Sequence, residues 1–139
     1  MLFRSPATFD VGGLRHMLAR LRARDEAEVA VPVFDRALEI SRAGGRIVSA
    51  QVRILVVEGN YLLLDREPWR QLAPLFDVTA MVRESRDAVE RRLIERWLSF
   101  GFSAAKARAW VDGNDLPNVD MVLNASITPD FEIASNPSP

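Results

Sequence analysis

The sequence predicts an α/β domain whose mostly parallel sheet is flanked by helices. Residues 53–59 include four consecutive large aliphatic side chains without polar alternation, which is typical of a strand buried on both faces of a parallel sheet. Segments of strand and helix character alternate along the chain, as they do in α/β proteins. The strands are few for such a sheet, so we expect that some of its strands are absent from this sequence.

Composition limits the classes of function. The length of 139 residues and the hydrophobic content of 48% fit one globular domain, and the formal charge of −1 argues against a polybasic nucleic-acid binder. The chain has no cysteine and one histidine, which excludes disulfides, thiolate metal sites and multi-histidine centres. Neither a membrane-length apolar stretch nor a signal peptide is visible, which predicts a cytoplasmic protein without a membrane partner.

Helices are predicted where apolar residues recur at spacings of three and four. They cover residues 11–24, 68–75, 85–100, 103–111 and 116–124. Asp10 is the expected N-cap of the first helix, and Gly101 is expected to end the third.

Strands are predicted over residues 29–34, 46–50, 53–59, 77–82 and 131–134. Pro32 makes the first an edge or irregular strand, because proline has no N–H for a strand ladder. The string Ala43-Gly44-Gly45 predicts a turn before the second strand. The polar, proline-rich residues 135–139 are expected to fray, so the predicted domain is 1–134.

Glu58 is the first candidate functional residue. It ends the predicted buried strand and precedes Gly59, and ligands of open α/β sheets bind beyond the carboxyl ends of strands. A carboxylate there can reach a hydrated Mg²⁺ ion or orient a nucleophile. The alternative is a strand-end acid that caps the next turn through backbone N–H groups, and the spacing leaves both interpretations open.

Two arginines on one helix form the second candidate group. Arg92 and Arg96 are four residues apart and therefore share a helix face. Two guanidinium groups on one face can bind a polyphosphate through forked hydrogen bonds. A solvated face with an ordinary ion pair between Arg91 and Glu95 is the alternative, and the spacing alone favours it.

Asp35 and Arg36 form the third candidate group. They follow the first predicted strand, where a carboxylate and a guanidinium could bind hydroxyl groups and an anion. A local ion pair between them is the interpretation that the spacing alone favours.

Six strings share one order with a known family. They are Thr8-Phe9-Asp10-Val11-Gly12-Gly13-Leu14, Val31-Pro32-Val33-Phe34-Asp35-Arg36, Val56-Val57-Glu58-Gly59-Asn60-Tyr61-Leu62-Leu63-Leu64, Pro68-Trp69, Arg92-Leu93-Ile94-Glu95-Arg96-Trp97 and Asn114-Asp115-Leu116-Pro117-Asn118. Together they resemble the phosphoribulokinase/uridine kinase superfamily of P-loop kinases. The chain most resembles the nucleoside/nucleotide kinase-like or fructose transport system kinase branch, which is related to bacterial pantothenate kinase.

The resemblance implies an ATP-dependent small-molecule kinase with ATP and Mg²⁺ as cofactors. Glu58 matches the acid of the Walker-B-like strand, near Mg²⁺ and the phosphates. Arg92 and Arg96 match lid arginines that close over ATP and stabilise charge on the transferred phosphoryl group.

On the acceptor side, the resemblance places Asp35 and Arg36 in the segment that contacts the small-molecule substrate. That substrate is a hydroxyl of a sugar, a nucleoside or a pantothenate-like molecule. The loop at residues 126–130 would lie near the adenine.

The sequence departs from the family in two respects. It contains no Gly-x-x-x-x-Gly-Lys-Ser/Thr string, the phosphate-binding loop that follows the first strand of such kinases. It also lacks the second strand of such kinases, which ends in an acidic residue that accepts the proton of the substrate hydroxyl. We therefore expect the C-terminal portion of a kinase, with a partial fold that lacks the first strand and is inactive as it stands. The alternative is a non-catalytic remnant or interaction module that retains part of the fold.

A missing first strand has a physical consequence. Residues 53–57 would keep an unpaired edge and an uncovered apolar face, and such edges favour association. The sequence thus predicts a homodimer through this edge, or poor solubility.

Overall fold

The computed structural model describes residues 5–134 of the chain. A 3-10 helix, Pro6–Thr8, precedes α1 (Val11–Ala23), β1 (Glu28–Asp35), β2 (Ile40–Ser49), a second 3-10 helix (Trp69–Leu75), β3 (Ala80–Arg83), α2 (Arg86–Ser99), α3 (Ala104–Trp110), a π-helical turn (Val111–Asp115), α4 (Leu116–Ala125) and β4 (Phe131–Ala134). The predicted fraying of residues 135–139 lies outside the described residues.

The described strands form two small sheets. In the first sheet β1 and β2 pair as an antiparallel hairpin, and in the second β3 and β4 pair in parallel. A parallel pair needs a crossover connection, and here α2, α3 and α4 supply it. The α/β class predicted from the sequence is confirmed.

The segment predicted as the strongest strand has no strand partner among the described residues. Residues 53–59 form no helix, turn, bend or strand ladder. The side chains of Ile54 and Val56 are 81% and 89% exposed. The predicted burial on both faces is therefore wrong for this chain, because no neighbouring strand in the described part covers the segment.

The hairpin turn also differs from the prediction. The glycines at 44 and 45 lie inside β2, and the turn connects Asp35 to Ile40 instead. The strand register shifts between Val31 and Val33, opposite these glycines, because Pro32 offers no N–H to the ladder. Gly44 has a positive φ of 63°, so the pair of glycines forms a bulge rather than a turn.

The main core lies between α1 and the 3-10 helix Trp69–Leu75. It consists of the buried side chains Val11, Leu18, Tyr61, Leu64, Trp69 and Leu72. Asp10 caps α1 as predicted, since its Oδ1 atom accepts a hydrogen bond of 2.8 Å from the N–H of Gly13. Burial of each large side chain stabilises such a core by roughly 1.5–3 kcal/mol.

A second cluster fixes α2 against α3. The rings of Trp97 and Phe102 stack with centroids 5.0 Å apart, and Trp110 packs edge-on against Trp97 at 5.5 Å. Gly101 ends α2 as predicted, with a φ of 85° that favours glycine. Arg108 adds an ion pair of 2.6 Å to Glu90, which ties α3 to α2.

Candidate functional site

The described chain contains a groove of about 870 Å³. One wall is the unpaired segment and its continuation, residues 54–63. The other wall consists of β3, one face of α2 and the start of α4. Most of the lining is aliphatic, and the polar lining side chains include Glu58, Asn60, Thr79, Glu84, Arg96, Asn114, Asp115 and Asn118.

Glu58 lies in this groove at the end of the unpaired segment. Its side chain is exposed, and no hydrogen bond or ion pair engages its carboxylate within residues 5–134. The capping interpretation required backbone N–H partners, which the carboxylate does not have there. Glu58 is therefore available to a ligand in the groove.

The structure separates the two arginines that the sequence grouped together. Arg96 lines the groove, and its guanidinium carbon lies 5.6 Å from the ring centroid of Phe100. Arg92 instead forms an ion pair of 3.0 Å with Glu84, at the exit of β3. In the described chain Arg96 has no carboxylate within 4.0 Å, so it is the arginine of the pair that is available to an anion.

The alternative interpretation of this helix face is found in part, because Arg92 and Arg96 are exposed to solvent as it expects. No ion pair within 4.0 Å joins Arg91 to Glu95 in the part of the chain that the structure describes. On this face Arg92 forms its ion pair with Glu84, which follows the last residue of β3 and is not part of the helix.

Asp35 and Arg36 lie at the turn of the hairpin, outside the lining of the groove. The Oδ1 atom of Asp35 accepts hydrogen bonds of 3.1 and 3.2 Å from the N–H groups of Ala37 and Leu38. The carboxylate lies 3.9 Å from Arg42, while the guanidinium of Arg36 lies over the ring of Phe34. Asp35 thus shapes the turn, and its ion-pair partner is Arg42 rather than Arg36.

The π-helical turn adds polar groups that the candidate list did not include. Asp115 accepts hydrogen bonds of 2.6 Å from Nε1 of Trp97 and 2.9 Å from Nδ2 of Asn114. Asn118 in turn donates to the carbonyl of Asn114 at 2.7 Å. Single π turns inside helices are frequent at functional sites. The available signal was the string from Asn114 to Asn118, whose residue types alone indicate only a turn.

Asp115 also influences a tyrosine of the core. Burial raises the pKa of Tyr61, and the negative charge of Asp115 raises it further. Tyr61 lies in both the groove lining and the core cluster. Tyr61 therefore connects the groove lining near Asp115 to the main hydrophobic core.

The loop expected near the adenine connects two elements of the fold. Ile127 donates a backbone hydrogen bond of 2.8 Å to the carbonyl of Leu63. Asp130 accepts bonds of 2.7 Å from both the N–H and the hydroxyl of Thr79, and these bonds lower the pKa of its carboxyl group. Its role toward a nucleotide stays a prediction.

Within residues 5–134, no group of three acidic or histidine side chains is placed to hold a metal ion. Glu58 alone therefore does not form a cation site. A single carboxylate does fit a Mg²⁺ ion that arrives with a polyphosphate, because Mg²⁺ takes its other ligands from phosphates and water.

Known proteins resemble this chain over most of its length. A curated relative from Aspergillus versicolor, an ATP-dependent kinase-like protein, is 32% identical over 121 residues, which is 84% of this chain and 70% of that protein. The crystal structure of a candidate fructose transport system kinase from Silicibacter sp. TM1040 superposes with a TM-score of 0.83. It is 35% identical and covers 93% of this chain and 62% of its own.

The chain belongs to the phosphoribulokinase/uridine kinase superfamily of P-loop kinases. A further solved structure is YFH7 from Saccharomyces cerevisiae, described as a P-loop containing kinase with a circular permutation. It has a TM-score of 0.62 and 29% identity, over 78% of this chain and 36% of its own. The predicted partial P-loop kinase fold is thereby confirmed. No family model matches the sequence.

This P-loop kinase chain spans about half the length of other curated relatives, including 54% of a candidate uridine kinase of Schizosaccharomyces pombe. None of the helices in its described part combines the length and apolarity that crossing a bilayer requires.

Proposed function

We propose that this chain forms the lid and acceptor part of an ATP-dependent small-molecule kinase. The acceptor is a hydroxyl of a sugar, a nucleoside or a pantothenate-like molecule, and ATP supplies the phosphoryl group. The observation that carries the proposal is the position of Glu58 and Arg96 in one groove, each without an ionic partner in the described chain. The proposed location is the cytoplasm.

Each residue has a distinct proposed role. The guanidinium of Arg96 donates forked hydrogen bonds to phosphate oxygens and offsets the charge on the transferred group. Glu58 holds a water ligand of the Mg²⁺ ion that accompanies ATP. Arg92 orients the start of α2 through Glu84, and reaches phosphate only when that ion pair opens.

The acceptor side is assigned to the hairpin. Asp35 holds the turn in shape through its two backbone bonds, which leaves the exposed guanidinium of Arg36 at the tip. We assign the contact with the small-molecule acceptor to this tip.

We expect the 139-residue chain to have no kinase turnover by itself. Its sequence has no phosphate-binding loop, and phosphoryl transfer depends almost entirely on positioning and electrostatics. A non-catalytic interaction module is the second candidate function. The 81% and 89% exposure of Ile54 and Val56 favours it, because exposed aliphatic edges bind other chains.

A chimera tests the kinase proposal. The matched part of this chain replaces its counterpart in the Silicibacter protein, and ATP consumption is measured separately with sugars, nucleosides and pantothenate. We expect one acceptor class to stimulate ATP consumption, and Arg96→Ala to reduce the stimulated rate at least about 100-fold.

Arg91→Ala is the matched control, because Arg91 lies on the same helix outside the groove lining. It should keep the rate within about twofold, since exposed charges contribute little. A cooperatively folded chimera that ignores every acceptor class, or that tolerates Arg96→Ala, would refute the kinase assignment.

A further inference from the structure

One hydrogen bond joins the end of α2 to the π-helical turn. Nε1 of Trp97 donates to Oδ2 of Asp115 at a distance of 2.6 Å. Arg96 immediately precedes Trp97 on α2, and both Arg96 and Asp115 line the groove. The bond therefore lies directly beside the arginine that is available to an anion.

The acceptor of this bond is fixed by its surroundings. Oδ1 of Asp115 accepts a further bond of 2.9 Å from Nδ2 of Asn114. Val111 begins the same turn and Leu116 follows it, and both are buried, with 0% and 6% exposure. Because packed side chains hold the backbone on both sides of Asp115, its carboxylate is a fixed attachment point for α2.

The start and the end of α2 are held by different contacts. Near the start, ion pairs join Arg86 to Asp120 and Arg92 to Glu84. Near the end, Trp97 combines a ring stacked on a neighbouring phenylalanine with a hydrogen bond to a charged acceptor. Hydrogen bonds to ionised acceptors are roughly twice as strong as bonds between neutral groups. The direction of the groove face at this end of α2 therefore depends on Trp97.

Asp115 also acts on the groove through its charge. A carboxylate that lines a groove repels an anion there, so loss of the charge alone would strengthen phosphate binding. Loss of the bond to Trp97 would instead release Arg96 and weaken phosphate binding. The two effects have opposite signs, so substitutions at Asp115 separate them.

We propose that Asp115 is a positioning residue for Arg96, which it holds in the groove through the indole N–H of Trp97. The inference rests on the proposed function, because it takes Arg96 to be the phosphate-binding residue. In the described chain no ion pair joins Asp115 to Arg96, so the guanidinium stays open to phosphate. Asp115 touches neither acceptor nor nucleotide and acts through the helix.

The probe is inorganic tripolyphosphate, titrated into the 139-residue chain and followed by NMR. The Nε–H signal of Arg96 reports binding, and nuclear spin relaxation of the same group reports the mobility of this side chain without any ligand. We expect Asp115→Ala to weaken tripolyphosphate binding at least about tenfold and to make the Arg96 side chain more mobile.

The conservative variant Asp115→Asn removes the charge and keeps an oxygen that accepts the indole N–H. Asn114 can turn its own amide to accept the new N–H group. We therefore expect Asp115→Asn to bind tripolyphosphate at least as tightly as the native chain, with an unchanged Arg96 mobility. This rescue distinguishes the bond from the charge.

Two tryptophans of one aromatic cluster give matched variants, since their ring centroids lie 5.5 Å apart. Trp97→Phe removes the indole N–H that bonds to Asp115, while Trp110→Phe removes one that has no hydrogen-bond partner in the described chain. We expect the first to weaken tripolyphosphate binding at least about tenfold and the second to change it less than about twofold. Adding Asp115→Ala to Trp97→Phe should weaken binding no further, because the bond is already lost.

Several results would overturn the inference. They are tripolyphosphate binding that is unchanged or stronger in a folded Asp115→Ala variant, weakening by Asp115→Asn, or equal weakening by Trp97→Phe and Trp110→Phe. Urea unfolding shows whether each variant folds, and if Asp115→Ala does not, Trp97→Phe and Asp115→Asn decide.

Failure of the proposed function has a different signature. A native chain that does not bind tripolyphosphate would contradict the role of Arg96 in phosphate binding. The mobility of Arg96 would then still test the inference. Equal mobility of this side chain in the native chain and in Trp97→Phe would show that Asp115 does not position it.

Discussion

Residues 54–57 and residues 61–64 have similar composition and opposite environments. The first segment reads Ile-Leu-Val-Val and the second Tyr-Leu-Leu-Leu, with three residues between them. Val56 is 89% exposed, whereas Tyr61 and Leu64 are 4% and 2% exposed. The difference lies in the neighbours that the chain provides to each segment.

The second segment packs against elements that lie within the described chain. Tyr61 and Leu64 belong to the cluster formed with α1 and the 3-10 helix Trp69–Leu75. The first segment faces the groove, where no described strand reaches it. Burial of an aliphatic segment thus depends on neighbouring elements that cover it. In this chain α1 and the 3-10 helix Trp69–Leu75 cover residues 61–64 and form a packed half, whereas residues 54–57 have no such cover.

We expect the largest loss in the free energy of unfolding from a substitution in the packed half, the cluster between α1 and the 3-10 helix Trp69–Leu75. Leu72 is fully buried, so Leu72→Ala should lower the free energy of unfolding by about 3 kcal/mol through lost burial and a cavity. Ile54→Ala, a matched truncation at an exposed site, should change it by less than about 0.5 kcal/mol. Urea unfolding measures both. Equal losses would show that residues 54–57 are packed in solution and would end the comparison.

An intermediate effect is expected where the groove joins the packed half. Asp115→Ala removes the acceptor of the Trp97 indole N–H, so we expect a loss of about 1–2 kcal/mol in the free energy of unfolding. Asp112→Ala, which removes an exposed ion pair with Arg108 on the same turn, should cost less than about 0.5 kcal/mol. Thermal unfolding of both variants makes the comparison. A similar loss for the two aspartates would remove the special role of Asp115.

The smallest effect is a pH dependence at Asp130, which bonds to Thr79 of the groove lining. The bonds from Thr79 lower the pKa of Asp130, so in the folded state this carboxyl binds its proton less readily than in the unfolded state. Its stabilising contribution is present above the ordinary aspartate value of about 3.9 and is lost as the pH falls through the lower folded value. Asp130→Asn should therefore destabilise the chain at pH 6 and differ less from the native chain at pH 2–3.

Thr79→Val is the control for this pH dependence, because it removes the hydroxyl donor and keeps the backbone donor. Stability curves from pH 2 to pH 7 should place it between the native chain and Asp130→Asn. If both variants lose stability between pH 4 and pH 2 in the same way as the native chain, the pH dependence does not come from Asp130.

Features with a local cause were predictable from the sequence. The N-cap at Asp10 and the helix end at Gly101 depend on residues close in the chain, and the structure has them as predicted. The bulge at Gly44 was not, because it arises from Pro32 on the opposite strand. Nor was the exposure of residues 53–59, which depends on the absence of a partner rather than on the segment itself.

The candidate site shows the same division. Glu58 and Arg96 could be selected because strand ends and helix faces follow from periodicity, and the groove includes both. The engagement of Arg92 by Glu84 depends on the angle at which β3 leads into α2, which periodicity does not specify. The π turn, in which Asp115 accepts the indole N–H of Trp97, could not be inferred from spacing.

The unpaired segment also governs how the chain responds to proteases. Proteases cut most readily in exposed segments without secondary structure, and residues 53–59 are such a segment, which begins at Arg53, a trypsin site. Limited trypsin digestion should therefore nick the chain after Arg53 before it cuts within the helices. The two fragments remain together, because Val11 and Leu18 from the first pack against Tyr61 and Leu72 from the second. We therefore expect the chain cleaved after Arg53 to sediment as one particle.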